Sequence, residues 1–90
     1  MALLDLLGRR TTLRILWELR SGPLTFRALQ EAAETNPGCL NSRIADLRTA
    51  GIVALADDGY LLTAEGRDLL NKLTPLSAWA ERWALRMADN

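Results

Sequence analysis

Apolar side chains recur along this chain at three- and four-residue spacing, broken at intervals by glycine, proline and capping residues, and those breaks define the expected elements. Leu3, Leu4 and Leu7 form a short apolar stretch that Gly8 ends. Thr11 or Thr12 suits the cap of the next helix, in which Leu13, Leu16, Trp17 and Arg20 share a side and Ile15 and Leu19 widen the stripe. Ser21-Gly22-Pro23 stops it. Thr25 caps a helix carrying Phe26, Leu29, Ala32 and Ala33. Asn36 then offers an N-cap oxygen, Pro37 fits the first helical position, and Leu40, Ile44 and Leu47 line one face up to Gly51.

The pattern then changes. Ile52 to Ala56 and Tyr60 to Leu62 are short runs about Asp57-Asp58-Gly59, an Asp-Gly hairpin signal expected to give a tight type I′ turn. Thr63 reopens a helix through Leu69, Leu70 and Leu73. Thr74-Pro75 is expected to interrupt it, with Pro75 starting a last helix that holds Leu76, Trp79, Ala80, Trp83, Ala84 and Met87. The fold class predicted is mainly α with a small β-hairpin, in the order ααα-ββ-αα. That is a winged helix-turn-helix spanning residues 1–90 as one domain, with the helix-turn-helix at about 25–50, the wing at about 52–62 and a C-terminal dimerisation helix at about 75–88.

Helix 37–50 has two unlike faces. Opposite Leu40, Ile44 and Leu47 stand Gly38, Asn41, Ser42, Ala45 and Thr49, with Arg43 and Arg48 on the flanks and Asp46 the one acid. A merely solvated helix carries Glu and Lys there. A slender face with Asn, Ser and Arg suits close approach to base edges and phosphates, so this segment is read as a recognition helix for the major groove of double-stranded DNA.

Composition narrows the rest. Eleven basic and eleven acidic residues cancel, so no overall field draws the chain to nucleic acid, but residues 1–50 hold seven arginines against five acids. A single cysteine, no visible leader and no apolar run of about 20 residues point to a cytoplasmic protein outside the membrane. Histidine is absent, no serine or cysteine has a base in the pattern, and the glycines mark turns, so the chain is not expected to be an enzyme or to hold a metal or cofactor.

Leu6-Leu7-Gly8, Ile15 to Leu19, Gly22-Pro23 with Phe26 and Leu29, Asn36-Pro37, Leu40 to Ile44, Asp46-Leu47, Gly51 to Val53, Leu62 to Arg67 and Trp79 stand in a characteristic order. In these residues the chain resembles the HxlR-type winged-helix transcriptional regulators, relatives of the MarR-like group, from about Leu3 to Trp83. The resemblance implies a homodimer that pairs through its terminal helices and lays one recognition helix per subunit on a pseudo-palindromic operator, with Asn41, Ser42 and Arg43 touching bases and phosphates. It departs from the family at the wing, which is short and turns on acids, at Thr11, where an aromatic residue is usual, and at Arg10, which replaces a lysine.

The candidate interface therefore comprises Asn36, Gly38, Asn41, Ser42 and Arg43, with Arg27, Thr25, Arg10 and Arg48 for the backbone; Arg9 and Arg14 are further phosphate candidates. Leu3, Leu76, Trp79, Ala80, Trp83 and Met87 are candidates for the dimer interface, Trp17 for the core, and Cys39 for a small half-buried residue near a helix start. Two carboxylates at the wing tip would repel phosphates, so the wing is read as structural. The competing reading is a winged-helix module for protein–protein contact, suggested by the zero net charge, the acidic tip and the tryptophan-bearing last helix.

Overall fold

A helix forms where one face can be buried and its ends can be satisfied, and both conditions shape this structure. The computed structural model describes residues 6–89, so the expectations on Leu3 and Leu4 lie outside the described residues. Leu6 and Leu7 are helical and rest against the core. Helix α1 (Arg10–Glu18) runs into a 3-10 turn at Leu19–Ser21. Its N-cap is Arg9, not a threonine. The threonines are drawn inside the helix because the buried stripe is Thr12, Ile15, Leu16 and Leu19. That choice turns Leu13 and Trp17 outward. Trp17, expected in the core, is 47% exposed, with the Arg20 guanidinium 3.9 Å above its ring.

Helix α2 (Phe26–Ala33) begins as its sequence predicts, the Ala28 amide donating to Thr25 Oγ1 at 3.2 Å. Glu34 ends it in the left-handed region (φ 53°), and after two intervening residues α3 (Pro37–Thr49) starts, with the Cys39 amide donating to Asn36 Oδ1 at 2.8 Å. At the far end Gly51 (φ 76°) closes α3: its amide reaches Arg48 O at 3.0 Å and the Ile52 amide reaches Leu47 O at 2.9 Å. That pair of bonds is the Schellman closure a glycine permits.

Strands β1 (Val53–Ala56) and β2 (Gly59–Leu62) pair antiparallel with Val53 opposite Leu62 and Ala56 opposite Gly59. Leu24 joins the other edge of β2 through two bonds with Tyr60, at 3.0 and 2.8 Å. The expected type I′ turn is not formed. Asp57 and Asp58 lack the positive φ it requires, and only Gly59 carries one (126°). A β-carbon at Gly59 would lie 2.6 Å from the Leu24 carbonyl carbon and 2.9 Å from the Thr25 nitrogen, so the glycine serves this close approach as well as the turn.

The chain ends in one helix, α4 (Ala64–Ala88), where two were expected. Pro75 lies inside it. Proline removes one N–H and crowds the preceding turn at a cost of about 3 kcal/mol, but does not forbid continuation. Good helix formers on both sides of Pro75 carry the helix through, and Thr74 donates its hydroxyl to Leu70 O at 3.0 Å. The overall arrangement is the winged helix-turn-helix that the sequence predicts, with Ile15, Leu16, Leu19, Leu29, Leu40, Ile44, Leu47, Ile52, Val53 and Leu62 as its core.

Candidate nucleic-acid interface

Burying Leu40, Ile44 and Leu47 fixes the rotation of α3 and presents Gly38, Asn41, Ser42, Ala45, Arg48 and Thr49 to solvent. Asn36 and Gly38 are exposed at the N-terminal end of the same helix, and Thr25, Arg27 and Arg10 are exposed on the elements before it. Asn36 and Thr25 each spend a side-chain oxygen on a cap. Gly38 has no positive φ, and a β-carbon there would meet only Asn36 Oδ1, at an ordinary 3.5 Å. Nothing in the fold demands a glycine at that position.

The arginines divide by what they already hold. Arg27 lies 3.8 Å from Glu31 with both side chains largely in water, a pairing weak enough to exchange. Arg14 is committed: Nε donates to Glu18 at 2.8 Å and Nη2 to Ala32 O at 3.1 Å, tying α1 to the last turn of α2. Arg43 lies flat, its side chain 14% exposed, with Nη2 donating to Ser42 Oγ at 3.1 Å and standing 3.5 Å from Asp46 Oδ2. The candidate DNA contact Arg43 thus rests along the protein in this structure. Its i+3 spacing to Asp46 is one that lets helical side chains meet, although the pair is not among the sequence-based expectations.

Cys39, half-buried as expected, has Sγ 3.8 Å from Thr11 Oγ1. Hydrogen bonding by the Thr35 and Thr11 side chains, with smaller help from the charges of Arg43 and Arg9, holds its thiol below the ordinary value against the opposing effect of burial. Thr35 stands four residues before Cys39, whereas Thr11 is distant in sequence and is brought there by the packing of α1 on α3. Among the described residues no three His, Cys, Asp or Glu side chains gather as a metal group, and no helix is long and apolar enough to cross a membrane.

The second half of α4 carries the remaining feature. Leu76, Trp79, Trp83 and Met87 are about half exposed, Ala80 is exposed beside them, and the rings of Trp79 and Trp83 stack 6.0 Å apart at 9°. Beside this stripe an apolar groove of about 320 Å³ runs between α1 and α4, lined by Leu13, Trp17, Leu70, Leu73, Leu76 and Ala80.

Residues 6–88 match the HxlR-like helix-turn-helix family. The chain belongs to that family. Among curated relatives, an uncharacterised HTH-type transcriptional regulator of Methanocaldococcus jannaschii is 24% identical over 89 residues, covering 92% of this chain and 83% of the relative. Quinone-bound YodB from B. subtilis is similar in structure, with a TM-score of 0.81 and 29% identity over 88% of this chain and 91% of YodB. Reduced HlyU from Vibrio cholerae follows at a TM-score of 0.70 and 25% identity, over 83% and 84% of the two chains. The activation domain of the phage T4 transcription factor MotA shares the fold at 0.70, with 21% identity over 93% and 94%. This HxlR-like chain is thus a DNA-binding regulator by family, in which α2 and α3 form the helix-turn-helix and β1-β2 the wing.

Proposed function

We propose that this HxlR-like protein is a homodimeric, sequence-specific transcriptional regulator of the cytoplasm that sets α3 of each subunit into the major groove of a pseudo-palindromic operator. The observation that carries the reading is the outer face of α3, where Asn41 and Ser42 stand exposed among Gly38, Ala45 and Thr49 while Leu40, Ile44 and Leu47 anchor the reverse side. Asn41 and Ser42 read base edges; Arg10, Arg27 and Arg48, with Thr25, Asn36 and the Gly38 backbone, take the sugar–phosphate chain.

Pairing follows from the uncovered stripe on α4. Leu76, Trp79, Trp83 and Met87 stand about half exposed, so burying each would recover roughly half of the about 1.5–3 kcal/mol that full burial of a large side chain yields. A second copy of the helix supplies the matching surface. The wing, with Asp57 and Asp58 exposed at its tip, keeps its acids off the duplex.

Selection of genomic fragments at physiological salt tests the proposal. The expected result is an enriched inverted repeat with half-sites one helical turn apart, about 10 bp, or a multiple of it, and an affinity falling steeply as salt rises. No enrichment, together with a salt-insensitive contact to another protein, would replace this reading with the protein-contact module that the acidic tip and exposed tryptophans suggest.

A further inference from the structure

Arg43 offers donors toward any DNA, yet its side chain is 14% exposed and its Nε is buried with no partner among the described residues. Its Nη2 instead donates to the hydroxyl of the neighbouring Ser42, with Asp46 3.5 Å away on the same nitrogen. A serine hydroxyl has one proton to give and two lone pairs to receive with. A guanidinium donating to that oxygen occupies a lone pair, directs the proton elsewhere and strengthens it as a donor. Ser42 is exposed, and its hydroxyl donates to no acceptor among the described residues.

We propose that Arg43 is a positioning residue, which makes Ser42 a hydrogen-bond donor and so disfavours cytosine, the base without a major-groove acceptor, at one operator position. The inference rests on the major-groove reading of α3 given above. Guanine offers N7 and O6 there, adenine N7 and thymine O4, whereas cytosine presents only its amino donor, which a Ser42 poised to donate does not match. Asp46 completes the device: it holds the guanidinium back along the helix, so that the charge bears on Ser42 and not on a phosphate.

The test is selection from a pool of random-sequence duplexes by the full chain and by Ser42→Ala, Ser42→Thr, Arg43→Met and the Ser42→Ala/Arg43→Met double variant, with thermal unfolding of each. The wild-type protein and Ser42→Thr are expected to favour acceptor-bearing bases at one position about tenfold. Ser42→Ala and Arg43→Met should lose that preference at the same position, and the double variant should lose no more than either alone. Arg43→Met lowering affinity for all sequences alike, with the salt slope reduced by about one and the motif intact, would make Arg43 a phosphate contact and overturn the proposal. Relaxation at a different position would overturn it too, by making Arg43 a base reader. Should Arg43→Met fail to fold, the serine pair decides: a preference that Ser42→Ala retains sinks the idea. A wild-type pool with no enriched sequence would instead remove the DNA-binding reading itself.

Discussion

Glycine 66 sits on the first turn of α4 with the backbone of Ile52 directly against it. A β-carbon there would collide with the Ile52 carbonyl oxygen and lie 3.2 Å from its carbon. Gly66→Ala, which would favour an isolated helix, is therefore expected to destabilise this protein by about 1–3 kcal/mol, read as a lowered thermal midpoint. Cys39 provides a test of another kind. Because Thr35, Thr11 and the nearby arginines favour its thiolate, alkylation by iodoacetamide should reach half its limiting rate at lower pH in the folded protein than in urea. A thiol depressed by folding adds stability only as pH rises through its folded value toward its unfolded one, so this small gain is absent below that window. Identical pH profiles in the two states would contradict the packing of Thr11 and Thr35 about the sulfur.

Among the elements, the caps and closures were legible because each depends on a few adjacent residues. Thr25, Asn36, Gly51 and Thr63 all do locally what their residue types allow. Where the reading failed, a distant partner had decided the outcome. Thr12 and Trp17 exchanged places between core and surface because the body of the protein meets α1 along the line Thr12, Ile15, Leu16 and Leu19. The turn at Asp57-Asp58 took its form from Leu24, thirty-odd positions back in the chain. Pro75 read as a break because its local penalty is real. That penalty gives an expectation: Pro75→Ala should restore an amide to the middle of α4, slow hydrogen exchange around residues 71–79 and stabilise the helix by up to about 3 kcal/mol. Unchanged exchange there would mean the helix is already broken in solution.

For the whole molecule, the long dimension of 49 Å against 26 and 24 Å reflects α4, whose second half extends with its apolar side uncovered. If the proposed pairing through α4 holds, Trp79→Glu/Trp83→Glu should leave the core intact, since neither ring belongs to it, yet make the protein monomeric in sedimentation at micromolar concentration. Affinity for a full inverted repeat should then fall by at least tenfold while affinity for a half-site changes little. A double variant that remains dimeric would relocate the subunit contact.

Thr63 joins three parts of the protein at one hydroxyl: it caps α4 by accepting from the Gly66 amide at 3.1 Å and lies 2.6 Å from the carbonyl of Gly51 and 3.1 Å from that of Ile52. The base of α4 is thereby pinned, across the neck of the hairpin, to the residues that follow α3. Torque applied at the tryptophan end reaches α3 through a rod whose weak joint is Pro75. In the proposed homodimer, the distance that two subunits would bridge on a duplex is accordingly a mechanical property of that joint, and lengthening or stiffening the rod would retune which operators fit.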